Sequence, residues 1–318
     1  MNYIPFPRLD KDSHPDLVAW RAKAAKVDGD WTVLKSFLND STKILQTNDA
    51  LPKCWYSEMP QGDDYALDVE HFRPKGSGNP LKFKHIEQIE KSGNVNYEQD
   101  ISTGNYNWLK FDYRNYRLVT AKTNRAGAKH IYFPIAKGTS RLPISILPWI
   151  SKEFAYFLDP TDKQDTSLLF VKPNGEIAPI TPRTIIRSAD FVGLPGTWRN
   201  NGFNYLRSIV TIKLFRLDDK VFVAARKKVY DDTTRDLKTL EKLFIENPQS
   251  RVIEDLVRNL TYLILPSAPF SLAAKSALIA YQPHNTNLQK RDFSKIIDLI
   301  LKKVETELND ISIDWNRL

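Results

Sequence analysis

The sequence predicts an α+β fold that is mostly α, with its strands gathered in the first 180 residues. Three observations carry this expectation. After Thr181, Leu206, Ile209, Val210, Leu214, Leu217 and Val221 recur at three- and four-residue intervals, the spacing of one buried helical face. Before it, short apolar runs are separated by proline, asparagine and glycine, which punctuate strands and turns. The chain has 318 residues, 42% of them hydrophobic, which is enough core material for one large or two ordinary domains.

Three stretches follow from the pattern. Residues 1–49 form an N-terminal helical segment: Ser13-His14-Pro15-Asp16 is a capping start, and tracts from Trp20 to Val27 and Trp31 to Leu45 are separated by Asp28-Gly29-Asp30. Residues 50–180 form a second unit, split by a polar insertion over 76–104 that reads as a loop with a short helix from Ile86 to Lys91. Pro173-Asn174-Gly175 lies between the runs 167–171 and 177–180, which predicts a β-hairpin near 165–180. Residues 181–318 form a helical C-terminal region, with further helices at about Asp236 to Glu246, Arg251 to Leu265, Ser271 to Tyr281 and Asp292 to Leu308.

Composition narrows the function. Cys54 is the only cysteine, so no disulfide can form within the chain, and a reducing cytoplasm is expected. The start Met1-Asn2-Tyr3-Ile4-Pro5-Phe6-Pro7-Arg8 is too polar for a signal peptide, and no apolar run approaches the ~20 residues that span a bilayer, so no membrane partner is expected. No GxxxxGK[ST] phosphate loop occurs. The net charge of +8 favours an anionic partner, nucleic acid being the usual one. Between Gly196 and Tyr230 eight basic residues face two acidic ones, a segment in which a backbone-binding face could lie.

The chemistry centres on Asp68-Val69-Glu70-His71-Phe72-Arg73-Pro74-Lys75, where an acid directly precedes a histidine and a proline turn follows. A histidine can deprotonate water near neutral pH, and a neighbouring carboxylate can hold a divalent ion that neutralises a scissile phosphate. Strand alternation groups Asp68 with Glu70 on one side and Val69 with His71 on the other. Downstream, Tyr106-Asn107-Trp108-Leu109 leads to Asn115 and then Asn124, which gives the order acid-His, Asn, Asn. Arg73 and Lys75 beside the acid-His pair, assisted by Lys122 and Lys129, are placed to hold a phosphate backbone. The run Arg226-Lys227-Lys228 reads either as a DNA clamp or as a solvated helix face.

These blocks resemble the HNH endonucleases of bacterial anti-phage systems, specifically the Septu-type and retron-associated group, in which an EHFRPK-like block precedes a YxWLxxDxxNxxL-like block. His130-Ile131-Tyr132-Phe133-Pro134-Ile135, and Leu158-Asp159-Pro160-Thr161-Asp162 with Asn174-Gly175-Glu176, extend the likeness over roughly residues 50 to 180. The resemblance implies a compact ββα-metal core that hydrolyses phosphodiester bonds in DNA with Mg²⁺ or Mn²⁺, as the effector of a defence system with a separately encoded ATPase. It implies that His71 is the general base and that Asn115 anchors the loop and orients His71. Glu70 and Asn124 would be metal ligands, with His130 as a secondary candidate. Asp68 would lie beside the site or be an ordinary solvated acid. Two other readings stay open: a degenerate nucleic-acid-binding or assembly subunit, and a stand-alone restriction or homing nuclease.

The sequence departs from the group at one place. Its members usually hold a structural zinc with two CxxC pairs, and the corresponding positions here are Cys54, Ser57, Thr120 and Thr123. Hydroxyls are poor zinc ligands at neutral pH, so no structural zinc is expected. Hydrogen bonds and packing by Trp55, Tyr56, Trp108 and Phe111 would replace it.

Overall fold

Alternation in the motif segment produces a strand, β1 (Leu67–His71), which pairs antiparallel with β3 (Tyr116–Thr120). The computed structural model describes Met1 and residues 53–62, 66–74, 97–98, 106, 109, 115–125, 128–130, 132–136, 155–180, 201–282, 293–302 and 304. The N-terminal helical segment expected over 1–49 apart from Met1, the insertion 76–104 apart from residues 97–98, and Lys75, Trp108 and Phe111 lie outside these residues.

The register of the ribbon sets Glu70 opposite Arg117 and His71 opposite Tyr116. A two-stranded ribbon is marginal in water and needs packing to persist. Here β3 is buried at every position, and its backbone is also engaged by the turn at 54–59, where the Trp55 N–H donates to the Leu118 carbonyl at 2.8 Å. A single helical turn, α1 (Ala121–Asn124), follows β3 directly. A second two-residue pairing joins β2 (Tyr97–Glu98) to β4 (Ile135–Ala136). The short helix α2 (Lys163–Thr166) is capped by Asp162, whose carboxylate accepts from the Gln164 and Asp165 N–H groups. The expected hairpin is present as β5 (Leu169–Val171) and β6 (Ile177–Pro179).

Helix predominates afterwards, in α3 (Asn201–Leu214), α4 (Lys220–Glu246), α5 (Arg251–Ile264), α6 (Ser271–Ala280) and a helical segment at 293–302. The α+β class with mostly α content therefore holds. The apolar face expected from Leu206 to Val221 is divided, because the chain breaks between α3 and α4. At the break Arg216 adopts φ 52°, its N–H reaches the Lys213 carbonyl, and the Leu217 N–H reaches the Ile212 carbonyl. This is the paired bonding of a left-handed helix terminus, here without glycine. Asp219 then caps α4 by accepting from the Val221 N–H at 3.0 Å.

One hydrophobic cluster takes Trp55, Leu67, Leu118 and Phe157 together with Leu206, Phe215 and Phe222, so residues on both sides of position 181 share a core. A second cluster joins the later half of α4 to α5, α6 and the last segment through Leu240, Leu260, Leu278 and Phe293. Polar bonds fix these parts to one another. The Glu58 carboxylate accepts from the Leu272 N–H and the Ser271 hydroxyl at the start of α6, where helix N–H groups lack intrahelical partners. Arg207 on α3 donates to both Asp165 oxygens at 2.6 Å and to the Ala155 and Phe157 carbonyls. No helix among the described residues is long and apolar enough to cross a membrane.

The hairpin tip supplies a stability test. Gly175 has φ 84°, and a Cβ there would stand 2.1 Å from the Val223 carbonyl oxygen and 2.8 Å from Lys227 Cβ. Gly175→Ala should cost about 1–3 kcal/mol from strain alone, with collision against the α4 backbone adding to it. Gly62, with nothing within 4 Å of its added Cβ, serves as the control, and Gly62→Ala should stay within about 0.5 kcal/mol. Urea unfolding of the two variants measures the difference.

Candidate active site

The end of β1 is held from three directions. Asn115 accepts the Arg73 N–H on its side-chain oxygen and donates its amide to the Arg73 carbonyl, both at 2.8 Å, while its own carbonyl accepts from the Phe72 N–H at 2.7 Å. The turn after His71 is thereby tied to the residue that immediately precedes β3. His71 is buried, and its ring meets the Tyr116 ring edge-on at 5.1 Å. The Arg73 guanidinium lies 5.4 Å from the Phe72 ring centre and 5.5 Å from that of Phe133, partly exposed beside the site.

The third contact comes from the segment after α1. Lys129 is fully buried, and its ammonium donates to Glu70 Oε1 and, at 2.6 Å, to the His71 carbonyl. Burial pushes the Lys129 ammonium below its ordinary value, against the opposing pull of Glu70. Arg125 reaches Asp68 with two bonds of 3.1 and 3.2 Å, so both acids of β1 are met from this one segment. Asn124 ends α1, and its carbonyl accepts the His130 N–H at 2.7 Å, which sets the exposed His130 next to it.

Behind Glu70, Arg117 donates to both carboxylate oxygens of Asp159 and to the Tyr116 carbonyl. The Asp159 N–H in turn donates to Asp165, the partner of Arg207. Sequence reasoning missed these four residues. The position of Arg117 opposite Glu70 emerges only with the register of the ribbon, and its pairing with Asp159 links residues 42 apart, which no local pattern encodes.

Two of the residues expected to contact nucleic acid, Lys129 and Arg226, are buried. Lys129 is spent inside the site and presents no charge at the surface. Arg226 is also buried: its Nε donates to the Gly175 carbonyl at 2.9 Å and its Nη2 to the Leu217 carbonyl, and burial pulls its guanidinium down to about 10. Arg226 therefore fastens the hairpin and the α3–α4 turn to α4, and its guanidinium does not reach the surface. Lys227 and Lys228 remain exposed, each paired one turn along with Asp231 and Asp232. Lys122 is partly exposed but sits 2.8 Å from Asp219 Oδ1.

Of the four positions at which the resembled group carries thiols, Cys54, Thr120 and Thr123 meet side chain to side chain in the core, while the Ser57 hydroxyl accepts from the Met59 N–H at 3.4 Å. Cys54 Sγ lies 3.7 Å from Thr123 Oγ1 and accepts from the Ser57 N–H at 3.3 Å. The Thr120 and Thr123 hydroxyls are 3.2 Å apart, and Thr123 also donates to the Thr120 carbonyl. All four residues are buried, and hydrogen bonds join them.

For a catalytic metal the donor set fits in kind. Among the described residues no three His, Cys, Asp or Glu side chains form a cage. The Glu70 carboxylate and the Asn124 amide oxygen are hard donors that suit Mg²⁺ or Mn²⁺, ions that keep several waters in place of protein ligands.

Comparison with protein-family models, with curated proteins and with solved structures finds no match to this chain.

Two measurements follow from this geometry. Asn115→Ala should destabilise by about 1–3 kcal/mol, because it leaves the Arg73 N–H and carbonyl without their partner; thermal or urea unfolding reads the loss. Elemental analysis should find no stoichiometric zinc in the wild type and one zinc per chain in the Ser57→Cys, Thr120→Cys, Thr123→Cys triple variant, because three of the positions already meet and Ser57 stands one turn from Cys54, so four thiols could close a structural site.

Proposed function

We propose that the chain is a metal-dependent HNH endonuclease that hydrolyses phosphodiester bonds in DNA in the cytoplasm, as the effector of an anti-phage system with a separately encoded ATPase. The observation that carries this reading is the end of the ribbon, where Glu70 and His71 adjoin and the Asn115 side chain closes the turn behind them with two backbone bonds. The helical turn that ends in Asn124 directly after β3, and the meeting of the Cys54, Thr120 and Thr123 side chains, support it.

His71 takes the proton of a water as its oxygen attacks phosphorus, and the leaving alkoxide recovers a proton from solvent. Asn115 fixes the turn, so the imidazole does not have to be ordered during the reaction. Glu70 and Asn124 would hold the divalent ion, with His130 as the secondary ligand, and the ion when bound neutralises charge on the phosphate. Arg73 is placed to receive a phosphate oxygen.

One observation favours the alternative of a non-cutting binding subunit: the charge of Glu70 is already matched by buried Lys129. Plasmid cleavage with Mg²⁺ or Mn²⁺ separates the two. His71→Ala should lower the rate by ~10²–10⁴-fold while the melting temperature changes little. Undiminished cutting by that variant, or no cutting by the wild type with its partner present, sinks the catalytic reading. Copurification from a host carrying the neighbouring genes distinguishes an ATPase-linked effector from a stand-alone restriction or homing nuclease.

A further inference from the structure

Glu70 and Lys129 lie 59 positions apart in sequence, yet the lysine is completely buried and divides its ammonium between the Glu70 carboxylate and the His71 main-chain carbonyl. Burying an ammonium is costly unless it is both paired and hydrogen-bonded, and here both conditions are met by the two adjacent residues of the motif. The backbone around the lysine is fixed as well: the Lys129 N–H reaches the Thr123 carbonyl, the His130 N–H reaches the Asn124 carbonyl, and the Tyr132 N–H reaches the Lys129 carbonyl. The ammonium is thus delivered to Glu70 by the same segment that carries Asn124.

We propose that Lys129 is a built-in counter-ion that competes with a divalent metal for Glu70, and that it acts as a positioning residue by holding Glu70 and the His71 backbone in place until the metal arrives. This inference rests on the assignment of Glu70 as a metal ligand. A carboxylate that already faces a positive charge binds a second cation less tightly, by the same attraction that favours its ionised form. Metal loading therefore has to break the Lys129–Glu70 contact and release the ammonium from its buried position. The metal-free protein keeps Glu70 neutralised and the core intact, and the threshold for metal occupancy is set by a residue outside the ligand set.

Mn²⁺ binding, followed by electron paramagnetic resonance of the free ion, tests the idea without reference to cleavage. Lys129→Met, which keeps the length of the stem and removes the charge, should tighten Mn²⁺ binding by about tenfold or more, the scale on which one neighbouring charge shifts a carboxylate. Lys129→Arg, which keeps the charge, should bind within a few fold of wild type. If Lys129→Met does not fold, amine acylation of the wild type read by mass spectrometry replaces it: Lys129 should be protected without metal and should react several-fold faster at saturating Mn²⁺. Unchanged or weaker Mn²⁺ binding in a folded Lys129→Met, or unchanged Lys129 protection on saturation, overturns the inference. Glu70→Gln separates the two levels. If Mn²⁺ binding survives Glu70→Gln, the metal-ligand assignment fails and the inference falls with it. If binding depends on Glu70 but ignores Lys129, only the inference fails.

Discussion

The guanidinium of Arg207 is the point on which the rest of the structure depends. It joins α3 to the segment 155–165 through both oxygens of Asp165 and two main-chain carbonyls, with the ion pair almost wholly buried. From Asp165 the bonding passes to the Asp159 N–H, from the Asp159 side chain to Arg117, and Arg117 stands opposite Glu70 in the ribbon. Such a series of desolvated charges contributes little net stability compared with an apolar core of the same volume, but loss of any one member leaves its partner stranded. Its value is geometric. A ribbon of two five-residue strands has no stiffness of its own, and the planar forks of Arg117 and Arg207 define its position against the helices.

The parts of this architecture that were legible in the sequence are those set by local rules. The hairpin followed from Pro173-Asn174-Gly175 between two apolar runs, and the helices after Thr181 followed from their apolar period. The break between α3 and α4 did not, because Arg216 occupies a left-handed position that glycine usually marks. The acid before Lys220 was its only local trace, since Asp219 caps the next helix. The run Arg226-Lys227-Lys228 shows a different limit. Successive residues on a helix point about 100° apart, so three adjacent cations need not share a face, and Arg226 turns inward while the two lysines stay in solvent.

Around the site the division is similar. The adjacency of Glu70 and His71, and the order in which Asn115 and Asn124 follow, were visible as letters. Lys129 was visible only as a basic residue near the motif. Its burial depends on a carboxylate 59 positions earlier, a contact no local pattern encodes. Arg117 and Asp159 were hidden for the same reason. The cluster of Cys54, Ser57, Thr120 and Thr123 lies between these cases: its members were picked out one by one and two of its bonds are local, while the Cys54–Thr123 contact exists only once the 54–59 turn has docked on β3.

Helix α4 runs for 27 residues, about 40 Å, with Phe222 in one apolar cluster and Leu237 and Leu240 in the other. Near its start Arg226 grips the hairpin, and towards its end the Glu241 carboxylate accepts the Tyr281 hydroxyl. The one helix thus contributes to both cores. The two clusters are therefore coupled in cooperativity. A displacement of the outer helices therefore has a direct covalent and hydrogen-bonded connection, through α4, to the hairpin and the α3–α4 turn.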